Sequence, residues 1–473
     1  MNRQIALLDL AFLALDRPET PANVGALMLF DPPPGRSASN VASQVVRAYR
    51  AAQPGMPFDS IPDLAVLALP RWRPAKHVDL RQHVLRMTLA APGDLAQLCG
   101  RVARLHEAPL DRSRPLFSVH VIDGLASGQL AIYLKSHHAY WDGRYALERI
   151  FGQLHTEPGP IQPPFFAAPP QDPPLAGDQT GASGMAANLR MMVKQATAAR
   201  ELFGKLAARA RAEHASAQLA ANRPFAGPHT RFNDRLTAGR SFACFSLPLE
   251  AMRRVARACD ATLNDVALAV VDAGVERFLA SLGERPREAL VAMCPVSLRA
   301  PGDQEATTKA ATLFVPLARP RSAALQRLRQ VATHTRAAKR EFGELSHEAA
   351  LDYALLVFGL WLASHSLGLG AITRPAINLV VSNVGGVTGT RYLGACRLVA
   401  AYPVSMLADP TGLNVTVLSV DGRMDFGIVA NAGALADGFK LARECEAAFL
   451  QLERAARRTQ STAARTLDRK RPR

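Results

Sequence analysis

Only six cysteines occur in the 473 residues, at 99, 244, 259, 294, 396 and 445. None forms a Cys-x-x-Cys pair, so the usual sequence signature of a structural zinc site or a dithiol redox centre is missing. No Walker-type loop is present, and Gly368-x-Gly370 lacks the third glycine and the preceding strand that a dinucleotide loop needs. No Gly-x-Ser-x-Gly elbow is present either, which disfavours a serine acyl-enzyme on an α/β-hydrolase fold. With seven Tyr and three Trp there is little to stack on bases, and nucleic-acid binding is the weakest reading of the charge. The N-terminus does not read as a signal peptide, so the cysteines are expected to be buried free thiols in a reducing cytoplasm.

Acidic residues are also scarce. Lys and Arg outnumber Asp and Glu by 56 to 40, giving a net charge of +16. That surplus favours an anionic partner such as an acidic membrane surface or a polyphosphate ligand. Part of it sits in the tail Arg454–Arg473, which holds eight basic residues against Asp468 alone. Hydrophobic residues make up 48% of the chain, ample for one large or two ordinary domains.

Long apolar runs are few. Tyr353–Thr373 carries no charge, but Ser364, His365, Ser366 and three glycines interrupt it. It reads as a buried or interfacial helix rather than a span, which needs about 20 mostly apolar residues. Thr156–Gly184 contains eight prolines and is expected to be an exposed linker. Met185–Asn222 carries a helical apolar stripe flanked by Arg190, Lys194, Lys205 and Arg209. It reads as a helical crossover or a basic amphipathic membrane contact. The expected organisation is 1–155, linker 156–184, crossover 185–226, second domain 227–453 and basic tail 454–473.

Both halves mix strand and helix patterns. Residues 25–30, 117–122, 130–134, 289–296 and 378–383 read as strands. Residues 94–105, 249–259 and 264–279 read as helices. Residues 413–420 and 424–429 read as a hairpin turned at Asp421-Gly422. The class is α/β, or α+β.

The most informative stretch is His137-His138-Ala139-Tyr140-Trp141-Asp142-Gly143. It follows a strand, and neighbouring strand side chains point to opposite faces, so one histidine alone can face a given cleft. Asp142-Gly143 reads as a turn into a helix. A histidine at a strand end with a carboxylate nearby can serve as a neutral base, and a pair of histidines capping a buried strand is the bland alternative.

This heptad resembles the His-His-x-x-x-Asp-Gly motif of the CoA-dependent acyltransferase superfamily, which includes chloramphenicol acetyltransferases and peptide-synthetase condensation domains. Further segments narrow the resemblance to bacterial wax ester synthase/diacylglycerol acyltransferases. These are Pro109-Leu110-Asp111-Arg112 with Pro115-Leu116-Phe117, Asn264-Asp265, Pro295-Val296-Ser297-Leu298-Arg299, Ser382-Asn383-Val384, and Leu8–Phe30 with Asp9 and Phe12. Where that family has Pro-Gly-Pro after Ser-Asn-Val, this chain has Gly385-Gly386-Val387.

The resemblance implies two chloramphenicol-acetyltransferase-like mixed-sheet domains joined by a helical crossover. It implies an O-acyltransferase moving a long-chain acyl group from acyl-CoA to a fatty alcohol or diacylglycerol. His138 would be the base, His137 and Asp142 its support, and Asn264 the oxyanion donor. Gly143, Asp265, Ser382 and Asn383 would contact substrate. No metal and no cofactor beyond the acyl-CoA substrate are implied. The expected location is cytoplasmic, peripheral to the inner face of the plasma membrane and to lipid inclusions. Two alternatives stay open: a condensation-type enzyme using a carrier-protein thioester, and a non-catalytic lipid-inclusion surface protein.

Overall fold

The computed structural model describes residues 3–64, 70–168, 227–297, 310–343 and 374–468. The expectations for 185–222, 353–373 and Leu298-Arg299 lie outside the described residues, as do the side chains of the tail from 460 onward.

The first half runs β1 (Arg3–Gln4), α1 (Leu7–Leu15), β2 (Asn23–Asp31), α2 (Ala38–Arg50), β3 (Ser60–Asp63), β4 (Arg71–Pro74), β5 (Val84–Thr88), α3 (Leu95–Glu107), β6 (Phe117–Asp123), β7 (Leu130–His137) and α4 (Gly143–Gly152). The second runs β8 (Arg240–Pro248), α5 (Leu249–Ala258), α6 (Leu263–Ser281), β9 (Val291–Ser297), β10 (Ala310–Pro316), α7 (Ala324–Gly343), β11 (Leu379–Val387), β12 (Tyr392–Leu393), β13 (Cys396–Val404), β14 (Leu413–Val420), β15 (Arg423–Asn431) and α8 (Gly438–Asp468).

Two six-stranded mixed sheets dominate. One has the order β12-β13-β2-β7-β6-β5, the other β10-β9-β11-β14-β15-β8. Pairing is antiparallel except β5 with β6, β9 with β11 and β11 with β14. The hairpin read from the sequence is present. Val420 pairs with Arg423 across Asp421 and Gly422, both at positive φ (41° and 79°). A two-residue turn with both central residues left-handed matches the twist of the flanking strands.

Two features depart from the linear division of the chain. First, β12 and β13 come from the second half but complete the first sheet, β13 pairing with β2 from Arg397–Asp31 to Val404–Gly25. A boundary at 227 therefore does not separate the sheets. Second, the proline-dense stretch is not exposed throughout. Residues 156–160 are exposed, yet Phe165 and Phe166 are buried against Phe58, Trp141, Tyr49 and Phe117. Proline excludes helix here, but two adjacent phenylalanines still bury enough apolar surface to anchor irregular backbone.

The core explains why β7 was legible. All eight of its residues are buried, as expected for a central strand covered on both faces. Leu130, Ile132 and Leu134 pack into the core under α2 and α4. Ala131 and Tyr133 pack into a second core under α3. His137 therefore ends the strand on the α3 side, and the next residue begins a turn.

Candidate active site

His138 opens a short 3₁₀ turn, His138–Tyr140, that carries the chain from β7 to α4. The His138 N–H donates to the Ala22 carbonyl at 2.8 Å. The Tyr140 hydroxyl accepts from the Leu116 N–H at 2.8 Å and donates to the Ser60 carbonyl at 2.5 Å. The turn is thus tied to three separate segments, and its side chains are fixed in direction.

The two histidines part here. His137 is buried, and its Nδ1 accepts from the Ala139 N–H at 3.1 Å. The proton of neutral His137 must then sit on Nε2. That nitrogen lies 3.6 Å from Asp16 Oδ2, an ion-pair distance rather than a hydrogen bond. Asp16 Oδ1 accepts from the Ala22 N–H at 3.0 Å, and Asp16 Oδ2 pairs with Arg112 at 3.1 Å. Burial works to raise the Asp16 pKa, but His137, the Ala22 amide and Arg112 together hold it below the ordinary value.

His138 is half-buried. Its ring stacks on Phe12 of α1, centroids 4.0 Å apart and planes 20° from parallel. Nδ1 is buried and makes no hydrogen bond among the described residues. Burial pushes the His138 pKa down to about 4, partly offset by its own carbonyl oxygen and aided by the neighbouring His137. The ring is therefore neutral across the physiological range.

Arg112 links the two histidines to the Pro-Leu-Asp-Arg segment. Its Nη2 donates to the Leu13 carbonyl at 2.5 Å and reaches Asp16. It thereby clamps the end of α1, the helix that carries Phe12. One arginine fixes both the carboxylate behind His137 and the aromatic ring beneath His138.

The exposed edge of His138 looks into a cavity of about 360 Å³ lined from both halves. Val24, Leu134, Trp141, Leu147, Ile150 and Phe151 give it apolar walls, and Ser382, Asn383, Ser405 and Thr416 bring polar groups from the second half. Asp142 and Gly143 line it too. Asp142 is the N-cap of α4, its Oδ1 accepting from the N–H groups of Arg144 (3.1 Å) and Tyr145 (2.9 Å). That role follows from residue type, since Asp at an N-cap satisfies orphan helix donors.

Gly143 is where two sequence motifs meet. A Cβ placed on it would lie 2.8 Å from Val384 Cγ1. Valine is stiff at χ1 and yields little. The start of α4 thus docks directly on the end of β11. There β11 bulges between Asn383 and Gly386, and the Gly385 N–H donates to Asn383 Oδ1 at 3.0 Å. Gly385 has φ of +98°. Proline is locked near −65° and has no N–H, so the family's proline could make neither this turn nor this bond.

The structure gathers His138, Asp142, Gly143, Ser382 and Asn383 around one cavity, with the His137 side chain buried on the other face beside Asp16. It does not bring Asn264 or Asp265 there. Neither lines the cavity. Asp265 closes a capping box with Thr262 at the start of α6, and its Oδ1 accepts from Thr335 Oγ of α7 at 2.6 Å. The Asn-Asp pair thus begins a buried helix of the second half, and the oxyanion role given to Asn264 has no support from its position. Asp16, Trp141 and Val384 also lay within quoted segments, and sequence alone assigned them no individual role. Phe12 and Arg112 lay within quoted motifs, and only three-dimensional placement gave them roles.

Comparison with known proteins agrees with this architecture. Residues 5–267 match the wax ester synthase/diacylglycerol acyltransferase catalytic domain, and residues 308–453 match the C-terminal domain of the same family. The chain belongs to that family. It is an acyltransferase. It is 32% identical over 461 residues to a Mycobacterium tuberculosis protein named as a diacylglycerol O-acyltransferase, covering 90% of this chain and 92% of that one. A Mycobacterium bovis protein of the same designation is 33% identical over 453 residues, covering 95% and 98%. Among solved structures, the wax ester synthase/diacylglycerol acyltransferase of Marinobacter aquaeolei VT8 matches with a TM-score of 0.74 at 26% identity, covering 96% of this chain and 99% of that one. The first condensation domain of the calcium-dependent antibiotic synthetase matches at a TM-score of 0.57 and 16% identity, covering 96% of each chain, a likeness of fold alone. The acyltransferase-like mixed-sheet fold is therefore present.

Proposed function

We propose that this acyltransferase moves a long-chain acyl group from acyl-CoA to the hydroxyl of a fatty alcohol or a diacylglycerol, with His138 as general base. The observation that carries the reading is a neutral, half-buried imidazole at the wall of an apolar cavity built from both halves. His138 Nδ1 keeps its proton on the buried side, and Nε2 presents its lone pair to the cavity. Nε2 takes the acceptor's hydroxyl proton as the oxygen attacks the thioester carbonyl. The tetrahedral oxyanion then collapses, the C–S bond breaks, and the imidazolium returns its proton to the departing CoA thiolate. No acyl-enzyme forms.

The oxyanion needs a donor. Asn383 lines the cavity, and its Oδ1 is occupied by the Gly385 N–H, which leaves its amide N–H groups to donate. We assign it that role in place of Asn264, with Ser382 beside it. His137 and Asp142 position the turn, and Gly143 admits Val384.

No helix among the described residues is long and apolar enough to cross a membrane. Water-insoluble acceptors and the basic tail favour peripheral attachment to the inner face of the plasma membrane and to lipid inclusions. The test is the purified protein with palmitoyl-CoA and a panel of alcohols and diacylglycerols, with products identified by mass spectrometry. Ester formation with release of free CoA is expected. Acylation from a carrier-protein thioester alone would overturn the donor assignment.

A further inference from the structure

Helix α2 has an unusual polar face. Val41, Ala42, Val45, Val46 and Tyr49 are buried. The opposite face shows Asn40, Ser43, Arg47 and Arg50 at helical steps, with Arg36 just before the Ser37 N-cap. The helix contains no Asp or Glu. Exposed helix faces ordinarily mix both signs at i, i+4, and this one carries arginine alone.

Arg86 of β5 joins the same face. Its Nη1 and Nη2 donate to Ser43 Oγ and Ser39 Oγ, both at 2.7 Å, and it pairs with Asp123 at 2.6 Å. Arg50 donates twice to the Val84 carbonyl, at 3.0 and 2.8 Å. Arg36 bonds the neutral Gln44 at 3.3 Å. The Arg47 guanidinium has no partner among the described residues. The four arginines line two adjoining depressions of about 450 and 610 Å³, with no carboxylate in either lining.

A helix C-terminus accounts for Arg47 and Arg50, since its dipole favours cations there. It does not account for Arg36 at the opposite end, where a cation is disfavoured. Nor does it account for Arg86, drawn onto the helix from another element. Four guanidiniums with one carboxylate leave uncompensated repulsion that a bound anion would relieve. Arg36 and Arg50 are held by neutral oxygens alone and Arg47 has no partner among the described residues, so these three guanidiniums are suited to phosphate oxygens, with Arg86, paired to Asp123, beside them.

We propose that the outer face of α2, with Arg86, binds a phosphate group, carried on an anionic lipid headgroup or on a soluble phosphate ester such as CoA. The site is separate from the His138 cavity and stands independently of the base assignment.

The test uses the full-length protein and three probes: phosphatidylcholine vesicles with and without phosphatidate, inorganic phosphate, and CoA. The double variant Arg36→Gln, Arg47→Gln removes two of the four cations without touching the core. The control, Arg285→Gln, Arg287→Gln, removes the same charge from an exposed loop elsewhere. The α2 variant is expected to bind at least one probe about tenfold more weakly, with the control within about twofold of wild type. Loss confined to phosphatidate vesicles identifies a lipid headgroup, and loss for CoA or inorganic phosphate identifies a soluble ligand. Equal weakening by both variants would mean net charge alone acts, and no weakening, or no binding of any probe by the wild type, would remove the site. A melting temperature of the α2 variant near that of wild type reports that the fold is intact.

Discussion

The two faces at the end of β7 carry the same side chain and treat it oppositely. On the α3 face, His137 is fully buried, accepts from a backbone amide and lies against Asp16, which Arg112 also holds. On the cavity face, His138 keeps an open edge and stacks on Phe12, and its Nδ1 makes no hydrogen bond to another residue among those described. A buried imidazole held by a backbone amide on one side and facing a carboxylate at 3.6 Å on the other serves to hold structure. One with a free lone pair and a depressed pKa is available to move a proton. The adjacent positions differ because the strand ends between them, so the pleat sends one ring back into the core and the turn sends the other into the cavity.

The largest expected break in this contrast is His138→Ala. Loss of a general base lowers kcat by roughly 10²- to 10⁴-fold, with the melting temperature near wild type. Removing an oxyanion donor by Asn383→Ala is expected to cost kcat about 10²-fold with little change in KM. A rise in KM alone would return Asn383 to simple substrate contact.

Gly143→Ala is expected to cost activity about tenfold, because the new methyl forces α4 off Val384. Adding Val384→Ala should restore most of it, and failure of that rescue would show that the contact does not set the position of α4.

His137→Ala is expected to cost less activity than His138→Ala and more stability, about 1–3 kcal/mol, because Asp16 and the Ala139 N–H lose a buried partner. Equal activity losses for the two histidine variants would erase the distinction between the faces.

A smaller effect concerns acid stability. Burial lowers the pKa of His83, of His106 to about 3, of His120 to about 4 and of His138 to about 4. Each contributes stability that is present above the unfolded value of about 6.5 and is lost as pH falls toward the folded value. Asp272 and Asp425, raised by burial to about 6, act in the opposite sense, since their contribution is lost as pH rises through 6. Four histidines outweigh two carboxyls, so thermal melts should show falling stability from pH 7 to 5. A melting temperature that rises over that interval would contradict the burial of these rings.

Much of this was legible in the sequence for physical reasons. β7 is an unbroken apolar run because both its faces are covered, and Asp421-Gly422 names its own turn because both residues tolerate positive φ. Asp142 reads as an N-cap from its place before a helix. What was not legible depends on long-range placement. No local pattern says that β13 crosses to pair with β2, nearly the length of the chain away. The sequence reads a helix beginning at Asn264, but only the packing of α6 shows that this helix start does not line the cavity. Phe165 and Phe166 sit in a stretch whose prolines suggested exposure, while the aromatic cluster that buries them comes from four distant segments.

The central claim, that His138 is the proton acceptor and is held neutral by burial, is tested most directly by the acid limb of kcat/KM measured with a short, soluble alcohol. This parameter reports the ionisation of the free enzyme. The account predicts a flat profile from pH 8 down to about 5 and a fall governed by a pKa near 4. A limb centred near the ordinary histidine value of about 6.5, or one that persists unchanged in the residual activity of His138→Ala, would contradict it.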